Sequence, residues 1–189
     1  MIDKFDEALQ TFLFSALNIS ASDVDIVFEQ PKRDWSTKLS KPTLNLFLHD
    51  IRENPVLRSQ HPVMKFQVNG HVANIRRQPI NLNLLYMVTA WANKPEDEHR
   101  LLLETLVALM RVGGLPEDLR AQHLSELEEG ISFKVAQHDM QINPRDIWSV
   151  LDNEMRPALD LQVTMSINPL FEDTRPIVRE IQTIFQPIQ

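Results

Sequence analysis

The sequence predicts an α/β (α+β) protein in which a mixed β-sheet carries flanking helices and an added β-hairpin. Segments whose apolar residues alternate, as in strands, are interspersed with segments whose apolar residues recur every three or four positions, as in helices. The longest strand candidate, residues 80–91, is apolar on both faces, which is typical of a central strand covered on two sides. A length of 189 residues suits a single domain spanning 1–189.

The first fifty residues predict a helix followed by two strands. Residues 2–17 place apolar side chains at helical spacing, with acids in the first turns, where the helix dipole favours them. Short alternating segments at 24–28 and 43–51 predict the strands, and a polar loop around Trp35 separates them.

A hairpin insertion is predicted at about 63–76. Asn69-Gly70 is a strong hairpin signal, because both residues tolerate the positive φ of a type I′ turn. Pairing outward from this turn opposes Phe66 with Ala73 and gives the ribbon one apolar face. A two-stranded ribbon is marginal in water, so we expect that face to lie on its own domain or on a neighbouring subunit.

The second half of the chain alternates strands and helices. Pro95 suits the first position of a helix, and Gly113-Gly114 permits the left-handed residue that ends it. The predicted elements are a strand at 80–91, a helix at 95–110, a short helix at 116–122, a strand at 131–135, a helix at 144–154 and a strand at 159–167. A final helix is predicted from Thr174 or Arg175 within a C-terminal helix and tail at about 170–189.

The composition excludes several classes of function. The chain has no cysteine, which excludes disulfides, thiolate catalysis and zinc–thiolate sites. Its four glycines form no phosphate-binding loop, and its formal charge of −7 argues against a nucleic-acid partner. The longest apolar runs fall far short of the ~20 residues that span a bilayer, and the N-terminus does not have the pattern of a signal peptide. We therefore expect no direct membrane insertion.

The densest polar cluster is the segment Glu96, Asp97, Glu98 and His99. Such residues could supply metal ligands or an acid–base pair, but consecutive positions at a helix start fan around the axis. Helix capping and surface salt bridges are the better interpretation. The six histidines form no H-x-x-x-H pair, so the sequence predicts no helical zinc site. No other pattern nominates a residue, and we predict no catalytic, cofactor-binding or metal-binding residues.

A basic element lies on an otherwise acidic chain. Residues 51–79 contain five basic residues and one acid, a balance of +4, whereas the rest of the chain carries −11. This asymmetry fits either an oriented contact with an acidic protein surface or an incidental solvated loop. Among the tryptophans, Trp91 and Trp148 suit the core, and Trp35, in its polar loop, is the better interface candidate.

Surface charge, the hairpin face and the final helix together nominate a set of contact residues. The predicted interface residues are Trp35, Arg52, Arg58, Lys65, Phe66, His71, Arg76, Arg77, Ile181 and Phe185.

Four segments of the chain together carry a resemblance. They are VDIVFEQPKRDWSTKLSKPTLNLFLHDIREN (24–54), RQPINLNLLYMVTAWANKPEDEHRLLLETLVALM (77–110), ISFKVAQHDM (131–140) and RPALDLQVTMSINP (156–169). Taken together, they resemble the cap, or tail-terminator, proteins of extracellular contractile injection systems, which are phage-tail-like particles. The resemblance implies a tail-terminator-like fold without enzymatic activity or cofactors. It also implies a ring of identical subunits, a homohexamer, whose partners are the inner tube protein and the sheath protein.

Three alternatives stay open at this point. The chain could be a transient assembly chaperone or neck adaptor of the same particle, or a small oligomeric scaffold outside any injection system. It could also be a small metal-dependent or acid/base-dependent enzyme that uses the Glu96–His99 cluster. For the cap interpretation we expect assembly in the cytoplasm and incorporation into the particle.

Overall fold

A computed structural model of the chain describes residues 1–58, 63–66, 72–76, 78–127, 129–137, 144–151, 154–168 and 172–176. In 63–66, 72–76, 144–146 and 172–176 it describes the backbone alone. The helices are α1 (Ile2–Leu17), α2 (Arg33–Ser36), α3 (Pro95–Val112), α4 (Glu117–His123) and α5 (Pro144–Val150). The strands are β1 (Asp25–Val27), β2 (Thr43–Glu53), β3 (Val63–Phe66), β4 (Val72–Arg76), β5 (Ile80–Trp91), β6 (Ser132–Val135), β7 (Ala158–Ile167) and β8 (Glu172–Pro176).

The main sheet has the strand order β1-β2-β5-β7-β6 and is mixed, as predicted. β1 pairs with β2 in parallel, and the other neighbours are antiparallel. The ladder between β2 and β5 shifts register between Leu48 and Asp50, so His49 lies at a bulge. β5 lies at the centre of this sheet, between the two other long strands.

Both faces of β5 are covered, which confirms its prediction as a central strand. Leu84, Tyr86 and Val88 face a core that α1, α3 and α4 cover. Met87 and Trp91 face a smaller aromatic cluster on the opposite side of the sheet. The two faces are called the helical face and the tryptophan face below.

A tyrosine–carboxylate pair joins α1 to β5 on the helical face. Tyr86 is fully buried, and its hydroxyl donates a hydrogen bond of 2.7 Å to Oδ1 of Asp6. Burial raises the pKa of Asp6 to about 6 and also raises the pKa of Tyr86. At neutral pH the Asp6 side chain, which joins α1 to β5, is therefore a partly desolvated carboxylate.

The end of α3 makes a close turn into the sheet. Gly113 has a φ of 63°, the left-handed value that ends many helices, as the sequence predicted. A Cβ atom at Gly114 would lie 2.3 Å from the carbonyl oxygen of Ile131. That oxygen accepts a hydrogen bond from the Leu115 N–H, and the Phe133 N–H donates to the Gly113 carbonyl. The junction between α3 and β6 thus has no room for a side chain at Gly114.

The second sheet has the strand order β3-β4-β8. β3 and β4 form the predicted antiparallel ribbon, and the register opposes Phe66 with Ala73, as the turn position indicated. The turn residues 67–71 lie outside the described part of the chain. This pairing confirms the hairpin strands at 63–66 and 72–76.

The predicted start of the final helix, at Thr174 or Arg175, is wrong. Residues 172–176 are the strand β8, and Arg175 pairs with Ala73 of β4. Backbone pairing with β4 satisfies the groups that a helix would have paired internally, and Pro176 ends the strand, where proline is tolerated. The rest of the predicted helix, residues 177–189, lies outside the described residues.

Two further boundaries differ from the prediction. Trp35 lies in the short helix α2, where we expected an irregular loop, because the N–H groups of Trp35 and Ser36 bond to the Lys32 carbonyl. The helix predicted to reach Glu154 ends at Val150. Residues 151 and 154–157, the described part of the chain between α5 and β7, are not helical, and Pro157 disfavours helix at the residue before it.

Candidate functional site

Three tryptophans form the centre of the tryptophan face. The ring centroids of Trp35 and Trp91 lie 5.3 Å apart in an edge-on arrangement, and those of Trp91 and Trp148 lie 6.3 Å apart. Trp91 and Trp148 are buried, which confirms their prediction as core residues. Trp35 is half-buried, so one part of its ring supports the cluster and the other part faces outward. Its role in an interface stays a prediction.

Arg156 connects this cluster to the start of α3. Its guanidinium lies 4.6 Å from the centre of the Trp91 ring, at cation–π distance. It also forms an ion pair with Glu98 through Nη1, and the same carboxylate accepts a 3.1 Å hydrogen bond from the Ala92 N–H. These contacts fix the approach to β7 against the turn between β5 and α3.

The Glu96–His99 cluster has no shared geometry for acid–base chemistry. Glu98 is buried in the ion pair with Arg156, whereas Glu96 and His99 are exposed. Asp97 forms an exposed ion pair of 2.8 Å with Arg100, one turn along the helix. The surface salt bridge agrees with the sequence interpretation, but the buried role of Glu98 was not expected. Among the described residues, no group of three or more histidines and carboxylates is placed to hold a metal.

A cavity opens beside the tryptophan cluster, between α2 and α5. It has a volume of about 460 Å³ and is lined by Arg33, Ser36, Thr37, Trp148, Ser149, Glu154 and Arg156. A neighbouring cavity of about 270 Å³ shares Ser36, Thr37 and Arg156 with it. Sequence reasoning did not find this site, because its residues come from three separate segments that only the fold brings together.

The outward face of α3 carries an exposed apolar stripe. Leu103, Val107 and Met110 are 61%, 46% and 59% exposed, although they lie at the spacing of one helix face. With Ala16 and Leu17 of α1, part of this stripe borders a groove of about 310 Å³. The apolar residues of α3 form one broad stripe in the sequence, and the structure divides this stripe into a buried face and the exposed one.

Two of the predicted basic contact residues are described and exposed. Arg52 forms an ion pair of 2.6 Å with Asp50, and Arg58 forms one of 3.3 Å with Glu53. Both pairs are open to solvent and therefore contribute little to stability. Both arginines have acidic neighbours, so this part of the basic element is less unbalanced than the residue count suggested.

Seven of the other predicted contact residues have no described side chain. Lys65, Phe66 and Arg76 lie on the strands of the ribbon, and their side chains are outside the described atoms. His71, Arg77, Ile181 and Phe185 lie outside the described residues. All seven stay predictions. In the described part of the chain, no helix is long and apolar enough to cross a membrane.

Comparison with known proteins gives a consistent result. Residues 4–179 match the family described as the Pvc16 N-terminal domain. The fold matches the sheath/tube terminator of the extracellular contractile injection system PVC, with a TM-score of 0.71 and 21% identity over 100% of this chain and 64% of that chain. It also matches the tube-terminating cap of the anti-feeding prophage, with a TM-score of 0.68 and 21% identity over 99% of this chain and 62% of that chain. This chain thus spans less than two thirds of either of those chains. No curated protein matches the sequence.

Proposed function

The chain belongs to the Pvc16 N-terminal domain family, and from this membership we propose that it is the cap, or tube terminator, of a contractile injection system. The observation that carries the proposal is the agreement of fold, along the whole chain, with two proteins described as terminators of such particles. In this role the protein has a structural function and no catalytic one. It assembles in the cytoplasm and becomes part of the particle.

The cap acts as a ring of identical subunits, a homohexamer, that closes the end of the inner tube and contacts the last layer of the sheath. A ring needs head-to-tail contacts, in which two different surfaces of each subunit meet. The described surface offers suitable elements for such contacts. They are the exposed stripe of α3, and β3 and β8, which have no further strand partner among the described residues. Exposed apolar residues grouped on one helix face mark an interaction site, and an unpaired strand edge accepts a further strand.

The enzyme alternative has little support from the geometry. Glu96 and His99 are exposed on the first turn of α3, and the buried Glu98 is already paired with Arg156. A metal-dependent or acid/base-dependent reaction needs such groups to converge on a substrate. The described geometry favours surfaces that bind protein.

Imaging of particles from cells that lack this chain tests the proposal. We expect tubes of uneven length without a closed end, and we expect the tagged protein to be retained at one end of particles from complemented cells. A transient chaperone or neck adaptor would be absent from purified particles, which separates that alternative. Closed tubes of uniform length in the deleted strain would contradict the proposed function.

The hairpin can be tested separately from the fold. We propose that its basic region contacts the next subunit or the tube end, so the combined variant Lys65→Glu, Arg76→Glu and Arg77→Glu should weaken assembly without unfolding the protein. A matched control reverses Arg100 and Lys134, which are exposed and belong to no other proposed contact, and its effect on assembly is compared per reversed charge. Assembly of the hairpin variant to the level of the control would remove the hairpin from the contact.

A further inference from the structure

We propose that the cavity beside Trp148 receives the acidic segment 117–129 of a second copy of this chain, in a head-to-tail contact. This inference rests on the proposed ring and names one of its contacts. It comes from four features of the described residues: hydrogen-bond donors in the cavity, positive charge around it, an acidic segment elsewhere, and the sheet that separates the two.

The cavity presents donors that suit a carboxylate. Arg33 is exposed, and among the described residues no carboxylate lies at ion-pair distance from its guanidinium. Arg156 contacts Glu98 through Nη1, so other N–H groups of its guanidinium are available. Trp148 is 3% exposed, and its Nε1–H has no hydrogen-bond partner in the described part of the chain. Arginine binds carboxylates in a planar, two-bonded geometry, which makes it the natural receptor for an acidic side chain.

Positive charge is also present in the cavity lining and in the segment that supplies part of it. Two arginines, Arg33 and Arg156, line the cavity. Residues 29–41, which include Arg33, carry four basic residues and two acids, a balance of +2 on a chain of net charge −7. Glu154 is an acid in the cavity lining and has an interaction of its own. A basic surface on an otherwise acidic protein attracts an acidic surface of a second copy.

The acidic segment 117–129 is the strongest candidate for the occupant within this chain. It carries five acids and one arginine, a balance of −4. Glu117 is paired with Arg120, and Glu126 lies 3.5 Å from Lys4. Asp118 and Glu129 are exposed, and neither forms an ion pair with another described residue. These two carboxylates are therefore available to a partner.

The two surfaces lie on opposite faces of the main sheet. α4, with its buried neighbour Leu124, belongs to the helical face together with α1. The cavity belongs to the tryptophan face, beside Trp148 and Arg156. The sheet stands between them, so a subunit cannot place its own acidic segment in its own cavity. Complementary surfaces on opposite faces produce head-to-tail contacts, and such contacts close into rings when the rotation allows it.

A charge exchange tests this contact directly. Arg33→Glu changes the cavity without touching a described side-chain bond, and Asp118→Lys with Glu129→Lys changes the segment. The combined variant again places opposite charges at position 33 and at positions 118 and 129, while Arg156 stays positive in the cavity. Lys38→Glu is the matched control, because Lys38 is exposed just after the end of α2, close in sequence to Arg33, and does not line the cavity. The oligomer mass of the full chain is measured against concentration, at low salt and at 150 mM salt, with thermal melting as the folding control.

We expect each one-sided variant to weaken association about tenfold or more. We expect the combined variant to associate at least about threefold more tightly than either one-sided variant, with incomplete recovery because Arg156 still repels the introduced lysines. The Lys38→Glu control should change association by less than about threefold, and salt should weaken the wild-type ring. Failure of the combined variant to recover would overturn the contact.

Other outcomes separate this contact from the proposed function. If every variant forms the ring normally and caps the tube, the contact is overturned and the cap function stands. If Arg33→Glu leaves the ring intact but removes the protein from particles, the cavity holds a tube or sheath protein instead of a second copy. A wild-type chain that is monomeric at high concentration and absent from particles overturns both proposals.

Discussion

Replacing Gly114 with alanine should destabilise the protein by much more than a glycine substitution usually does. The added Cβ would lie 2.3 Å from the Ile131 carbonyl oxygen, and real Cβ contacts are almost never shorter than 3.0 Å. To reach ordinary contact, the backbone of α3 and β6 must separate by roughly 1 Å. Ile131 is buried, so the displacement also disturbs the core of the helical face.

The size of the effect follows from the bonds at this junction. The Leu115 N–H donates to the Ile131 carbonyl at 3.1 Å, and the Phe133 N–H donates to the Gly113 carbonyl at 2.8 Å. Weakening the two bonds costs about 0.5–1 kcal/mol each, and the strain of an overfilled junction adds about 1–2 kcal/mol. We therefore expect the free energy of unfolding to fall by about 2–4 kcal/mol.

Urea unfolding followed by tryptophan fluorescence measures this loss. With a urea m-value of about 2 kcal/mol/M, the midpoint should drop by about 1–2 M. Gly113→Ala, which must keep a φ of 63°, should cost about 1–2 kcal/mol. Gly130→Ala is the matched control, because no atom lies within 4 Å of its added Cβ, and its change should stay within about 0.5 kcal/mol. If Gly114→Ala behaved like Gly130→Ala, the close approach of α3 and β6 would be refuted.

Three further perturbations give distinct results. Asp6 has a pKa of about 6 in the folded protein and about 4 in the unfolded chain, so the folded state binds its proton more tightly. The protonated carboxyl therefore stabilises the fold at low pH, and this contribution to the free energy of unfolding is lost as the pH rises from about 4 to 6. Asp6→Asn should therefore match the wild type near pH 4 and exceed its free energy of unfolding by about 1 kcal/mol at pH 7.5, after allowance for partial exposure; an equal difference at both pH values would contradict the pKa shift. Glu98→Ala leaves Arg156 without its counter-ion and should cost about 2 kcal/mol in urea unfolding, whereas Asp97→Ala removes an exposed pair and should cost less than about 0.5 kcal/mol. Leu103→Lys should leave the melting temperature nearly unchanged, because the side chain is 61% exposed, but should weaken ring formation in sedimentation measurements; unchanged sedimentation would remove the α3 stripe from the contacts.

Much of the main sheet was predictable because its signals are local. The two-sided apolar pattern of residues 80–91 reflects burial on both faces, and proline and glycine mark the ends of α3 through backbone preferences alone. The hairpin strands followed from Asn69-Gly70, since the turn fixes the register of the strands that it joins. In each case a short stretch of sequence holds the physical cause of the structure.

Features that depend on distant partners were not predictable in this way. The strand β8 has a helix-like apolar pattern after it, and its conformation depends on pairing with β4, about a hundred residues earlier. Glu98 looked like a surface acid because its partner, Arg156, reaches it only through the fold. The cavity beside Trp148 has no sequence signal for the same reason, since α2, α5 and the approach to β7 each supply only a few of its residues.

Arg156 takes part in two structures at once, since it stacks on Trp91 inside the subunit and lines the cavity that faces outward. A carboxylate from a neighbour would therefore reinforce the interior of the subunit that receives it. Ligands that bind only the folded form shift unfolding by mass action. A concentrated sample should therefore melt at a higher temperature than a dilute one, and the Arg33→Glu variant should need about tenfold more protein to reach the same melting temperature.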